Sequence, residues 1–128
     1  MAEVLIVDDD LDIADVTAEV LALDGHVVRV ARNGEEGLAE VTKRFPDLIV
    51  LDVEMPVLTG PEMATRMLVI DCGREKIPIV LSSGVRELPG VANKVGTPYF
   101  IAKPFNVSSL RTLVTRAANE RTPPRPRL

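Results

Sequence analysis

The 128-residue chain contains no tryptophan, one tyrosine and three phenylalanines, so aromatics make up only 3% of it. That scarcity removes the stacking platform on which single-stranded nucleic acids are held. Cys72 is the only cysteine and His26 the only histidine. An internal disulfide is therefore impossible, which fits a reducing, cytoplasmic setting, and no His/Cys metal cluster can be assembled. Cys72 is expected to be half-buried on a helix. No apolar run approaches the roughly 20 residues that span a bilayer, and the basic-then-apolar pattern of a signal peptide is missing. The formal net charge is −4. The C-terminal stretch from Arg121 carries Arg125 and Arg127 as well and no acid, so the remainder is more acidic still. An acidic body argues against nucleic acid as a direct partner.

What is present is a set of short apolar runs that stop at polar residues. Val4-Leu5-Ile6-Val7 ends at Asp8-Asp9-Asp10, and Leu48-Ile49-Val50-Leu51 ends at Asp52. Ile79-Val80-Leu81 ends at Ser82-Ser83-Gly84, and Tyr99-Phe100-Ile101-Ala102 ends at Lys103-Pro104-Phe105. With Val27 to Ala31 these make five strands. Runs without alternation suit strands buried on both faces of a parallel sheet.

Between them lie helical patterns. Ile13, Val16, Val20 and Leu23 recur at spacings of three and four, opened by Asp10 or Asp12 and ended by Gly25. Asn33 with Glu36 makes an Asn version of a capping box, leading into Leu38, Val41 and Thr42. Thr59 or Gly60 caps a third helix whose inner face is Met63, Met67, Leu68 and Ile70, closed by Gly73. Asn106 or Ser108 caps a last helix through Leu110, Leu113, Val114 and Ala117. The link from Val85 to Thr97 is broken by Pro89-Gly90, leaving only Val91 to Val95 for a turn or so. Strands alternating with helices in about 120 residues predict an α/β, doubly wound sheet in the flavodoxin-like order 2-1-3-4-5, with a short or distorted fourth helix. The domain is expected over 1–120, with 121–128 a basic, Pro-rich tail, disordered or polyproline-like.

In that sheet order the first and third strands are neighbours, so Asp8, Asp9 and Asp52 converge at the switch point. Crowded carboxylates repel, and a hard divalent cation with oxygen ligands, Mg²⁺ above all, relieves them while leaving room for a phosphate. Ser83 and Lys103 end the next two strands. Acids, one ammonium and one hydroxyl, with no thiol or histidine, suit phosphoryl transfer onto a carboxylate, with Asp52 as the attacking group. Taken singly, each residue also has a bland role: a helix cap for Asp9 or Asp10, a turn for Ser83, a solvated strand end for Lys103.

Val7-Asp8-Asp9, Leu51-Asp52 with Met55-Pro56 and Gly60, Ser83-Gly84, and Lys103-Pro104-Phe105, in this order and spacing, resemble the receiver domain of bacterial two-component response regulators, including the chemotaxis type. The resemblance covers residues 3 to about 119. It implies Asp52 as phosphoacceptor, Asp9 as a direct Mg²⁺ ligand, Asp8 acting mainly through water, and the Glu54 backbone carbonyl as a further ligand. Lys103 would contact the phosphoryl group, Ser83 rather than Ser82 would be the switch hydroxyl, and Phe100 rather than Tyr99 the switch aromatic. The implied function is a phosphorylation-dependent signalling switch, not an enzyme beyond its own phosphorylation and dephosphorylation. Its implied partners are a sensor histidine kinase or histidine phosphotransfer protein and a downstream protein target or output domain, with no nucleic acid and no membrane. The start at Met1-Ala2-Glu3 points to an N-terminal or complete chain, either stand-alone or cut from a larger regulator.

Other classes are weaker. An aspartyl phosphatase of the haloacid-dehalogenase type has a second Asp two residues past its nucleophile, where this chain has Glu54. A phosphorylation-independent interaction module would not need the acids, Ser83 and Lys103 together. An FMN-binding protein would need a phosphate-cradling loop where Asp8-Asp9-Asp10 would repel phosphate.

Overall fold

Strands β1 (Glu3–Val7), β2 (Val27–Ala31), β3 (Leu48–Leu51), β4 (Ile79–Ser83) and β5 (Tyr99–Ala102) alternate with helices α1 (Leu11–Leu23), α2 (Gly34–Lys43), α3 (Gly60–Val69), α4 (Leu88–Val95) and α5 (Val107–Glu120). The computed structural model describes residues 2–55, 58–69 and 76–125. All strand pairs are parallel, in the order β2-β1-β3-β4-β5. Val7 is level with Ala31 and Leu51, Leu51 with Leu81, and Ser83 with Ala102, so the carboxyl ends of the strands form one rim.

Successive strand residues point to opposite faces, and each face has its own core. Leu5, Val7, Ile49, Leu51, Ile79 and Leu81 pack with Met63 and Met67 of α3 and Val95 of α4. Val4, Ile6, Leu48, Val50, Val80 and Tyr99 pack with Leu21 of α1 and Leu110 and Val114 of α5. Both faces are covered, which is why the central strands are apolar throughout.

The helices refine the expectations. Asp10, not Asp12, caps α1, accepting from the Ile13 N–H at 3.3 Å. The inner face of α1 is Ala14, Thr17 and Leu21, whereas Val16 is 56% and Leu23 87% exposed. This corrects the Ile13-Val16-Val20-Leu23 face. Two stripes of the same period run along this helix, and packing brought the one with the small Ala14 against the sheet. Asn33 caps α2 by accepting from the Glu36 N–H at 2.8 Å. Glu36 does not return the bond to Asn33 but turns to Arg32, accepting from its N–H and its guanidinium. Thr59, not Gly60, caps α3 in a reciprocal box: Glu62 N–H donates to its hydroxyl, and its own N–H donates to the Glu62 carboxylate.

Helix α4 spans eight residues, longer than the Val91–Val95 turn expected. Pro89 sits in its first turn, where the missing N–H costs nothing, so it starts the helix rather than breaking it. Asn106, not Ser108, caps α5, accepting from the Ser108 and Ser109 N–H groups. Leu68's side chain, Ile70, Cys72 and Gly73 lie outside the described residues. No helix among the described residues is long and apolar enough to cross a membrane.

Candidate functional site

The sheet ladder runs one residue past the strand ends and holds those next residues in place. Asp8 N–H donates to the Ala31 carbonyl at 3.1 Å, Asp52 N–H to the Val7 carbonyl at 2.9 Å, and Lys103 N–H to the Ser83 carbonyl at 2.9 Å. Acids from two central strands and the amine after β5 therefore meet above one rim. Asp8, Asp9 and Asp52 each bring a carboxylate oxygen within 4.8 Å of the others. Asp8 and Asp52 are buried and Asp9 is exposed. Lys103 Nζ lies 2.6 Å from Asp8 Oδ2 and 3.9 Å from Asp52 Oδ2. The other Asp8 oxygen accepts from Asp10 N–H at 2.9 Å.

Electrostatics single out Asp52. Burial drives its pKa up to about 6 from an ordinary 3.8. Lys103 pulls it down and Asp8 pushes it up; a hydrogen bond from the Ser83 hydroxyl and the charge of Asp9 act in those same two senses. The local charge is thus undercompensated: three acids face one ammonium. An oxygen-only donor set, converging beside an open mouth, fits a hard cation such as Mg²⁺ and suits neither zinc nor copper.

The depression above these groups is walled by Asp10, Ile13, Glu54, Ser83, Gly84 and Val85. Glu54 is exposed at its edge. Ser83 reaches this wall and accepts from Val85 N–H at 3.3 Å, while buried Ser82 does not line it. Phe100 does not join the acids. It is 40% exposed on β5 and lines a separate groove with Ile101, Leu113 and Arg116 of α5. Tyr99 beside it is fully buried, its hydroxyl donating to Glu120 at 2.9 Å. The apolar wall formed by Ile13 and Val85 was not expected from the sequence. The available signal was that Ile13 falls three residues after the cap Asp10, on the first turn to leave the rim.

Gly60 packs its backbone against Asp52 and Val53. A Cβ there would stand 2.2 Å from the Asp52 carbonyl oxygen, and Gly60 N–H donates to the Val53 carbonyl at 3.0 Å. Backbone cannot yield as a flexible side chain does. Gly60→Ala is expected to lower the unfolding free energy by about 2 kcal/mol; an unchanged urea midpoint would refute this close-packing role.

Residues 4–115 match the response regulator receiver domain family. The chain is 34% identical to sporulation initiation phosphotransferase F of Bacillus subtilis over 116 residues, covering 89% of this chain and 91% of that protein. It is 36% identical to the nitrogen assimilation regulatory protein NtrX of Azorhizobium caulinodans, over 90% of this chain but only 26% of that longer protein. Among solved structures, the receiver domain of NtrX from Brucella abortus superposes with a TM-score of 0.82 at 30% identity, covering 91% of this chain and 98% of that one. The Vibrio cholerae chemotaxis protein CheY4 superposes with a TM-score of 0.79 at 33% identity, with the same coverage. The match spans most of the chain, and the five-stranded order is that of the solved receiver domains it superposes on, so this chain belongs to the response regulator receiver domain family.

Proposed function

We propose that this chain switches a protein-binding surface when Asp52 accepts a phosphoryl group from a phosphohistidine on a sensor kinase or phosphotransfer protein. The observation that carries the reading is the gathering of Asp8, Asp9, Asp52 and Lys103 at one rim. An Asp52 carboxylate oxygen attacks phosphorus in line; the new P–O bond forms as the P–N bond breaks, and its electron pair returns to the donor imidazole. Lys103 stands where it meets the charge on the phosphoryl oxygens, and the Ser83 hydroxyl donates to one of them. Asp8, Asp9, Asp52 and the Glu54 backbone carbonyl would hold Mg²⁺, which supplies further neutralisation of that charge when bound. The chemistry ends at one acyl phosphate per chain, with no other substrate turned over. The bond drawing Ser83 toward the phosphoryl group shifts its loop, and Phe100 on the neighbouring strand turns inward, remodelling the exposed face of β5 and α4. Cytoplasmic residence follows from the donors it would need.

Incubation with Mg²⁺ and acetyl phosphate should add one alkali-labile phosphoryl group, and Asp52→Asn should remove it. Turnover of many equivalents would indicate a phosphatase, and no adduct at all an inert interaction module. Glu54 lines the depression above Asp52, where water would have to reach a phosphoryl group. Glu54→Ala is expected to change the decay rate of the adduct severalfold; identical decay in the two proteins would show that this side chain does not control access.

A further inference from the structure

Residues 121–125, expected to be disordered or polyproline-like, lie against the domain instead. Arg121 turns the chain with a left-handed φ of 54°, its guanidinium 3.6 Å from Asp47 Oδ1. Thr122 N–H donates to the Tyr99 hydroxyl at 3.3 Å. Pro124 is buried. Arg125 N–H then donates to the Gly96 carbonyl at 3.0 Å. The approach is so close that a Cβ on Gly96 would lie 1.8 Å from the Arg125 carbonyl oxygen. Gly96 is the left-handed C-cap of α4, with φ 81°. Residues 122–125 thus run from the end of α5 to the corner that joins α4 to β5.

The other end of α4 faces the rim. Only Gly84, Val85, Arg86 and Glu87 separate Ser83 from the first residue of α4, and Ser83 and Val85 both line the depression. A helix of eight residues, whose N-cap Glu87 makes no side-chain capping bond, has little stability of its own and takes its position from what grips it. The site loop grips one end and the tail the other.

We propose that residues 122–125 are a latch that fixes the C-terminal end of α4, and that its release both loosens that end and eases phosphorylation of Asp52. The second half rests on the proposed function; the first does not. If moving Ser83 displaces α4, a contact that holds α4 in its resting place opposes that movement, and removing it shifts the population toward the displaced arrangement.

Two amides report on the latch directly, since Gly96 N–H and Thr97 N–H both donate to the Ala92 carbonyl, at 2.8 and 3.0 Å. The test compares the full chain with Pro124→Asp and with a chain ending at Thr122, by residue-resolved hydrogen exchange and by the rate of phosphorylation with acetyl phosphate. Exchange at Gly96 and Thr97 should quicken at least tenfold in both variants while β1 and β3 amides keep their rates, and phosphorylation should quicken severalfold. Exchange within twofold of the full chain, or an equal increase everywhere, overturns the latch. Faster local exchange with an unchanged phosphorylation rate overturns the coupling to Asp52. A full chain that takes no phosphoryl group overturns the proposed function and with it the coupling, and leaves the exchange result to decide the latch.

Discussion

Asp52→Asn is expected to abolish the proposed phosphoryl adduct and, in metal-free buffer at neutral pH, to make the protein more stable. The adduct should be lost because an amide oxygen is far too weak a nucleophile to replace the carboxylate. The gain in stability comes from the raised pKa. Folding lifts the Asp52 carboxyl to about 6 from 3.8, so between these values the folded chain binds more protons than the unfolded one. Stability therefore falls as pH rises through this window, and the full cost is present above pH 6 and absent below pH 4. Roughly two pK units correspond to about 3 kcal/mol; because solvent enters the open mouth, about 1–2 kcal/mol is the expected gain for Asn. Urea unfolding with a chelator at pH 7.5 and at pH 4.5 checks it. The variant should be the more stable at 7.5, and the gap should shrink at 4.5. A variant no more stable than the parent at pH 7.5 would show that the carboxylate is well solvated after all.

Lys103→Met produces the other large effect, with the opposite sign for stability. Its side chain is 15% exposed, and its amine holds Asp8, whose side chain is 7% exposed, at 2.6 Å. Removing one partner of a buried pair leaves the other uncompensated, at a cost of about 3 kcal/mol. The Asp52 carboxyl also loses the group that most lowers its pKa, so part of the loss should return as pH falls and that acid takes a proton. Phosphorylation by acetyl phosphate should slow by about a hundredfold, the usual effect of deleting one donor aimed at developing charge. A solvated lysine at a strand end would cost less than about 0.5 kcal/mol, so a urea midpoint close to that of the parent would rule out the buried pairing. Arginine in its place keeps the charge but not the shape, and a planar fork suits this single close contact poorly.

These two effects share one origin. A carboxylate is kept ionised at neutral pH where burial disfavours its charge, and the groups around it decide how strongly. The domain bears that cost at the same rim where β4 delivers Ser83 and the loop after β3 delivers Glu54.

The sheet and its rim were legible because their signals are local. Unbroken apolar runs at 4–7 and 48–51 belong to strands covered on both sides, and an acid or a lysine directly after such a run has nowhere to go but the rim. The helix ends were legible to within a choice, since Asp10 and Asp12, or Thr59 and Gly60, carry equivalent local signals and only the observed bonds separate them. The inner face of α1 differs from the expected one for a related reason. Apolar residues of one period lie on two stripes, and the sequence does not say which stripe the sheet will take.

By itself the sequence determined the alternation of elements, the convergence of Asp8, Asp9, Asp52, Ser83 and Lys103, and the chemistry those groups suit, because each depends on residue type and on order along the chain. Tertiary structure alone decided three further matters: that Lys103 leans on Asp8 more closely than on Asp52, that Ala14 rather than Val16 faces the sheet, and that the segment after Glu120 returns to Gly96. Each of these is a competition between near-equal local options. Packing across the fold, between residues far apart in the chain, breaks the tie.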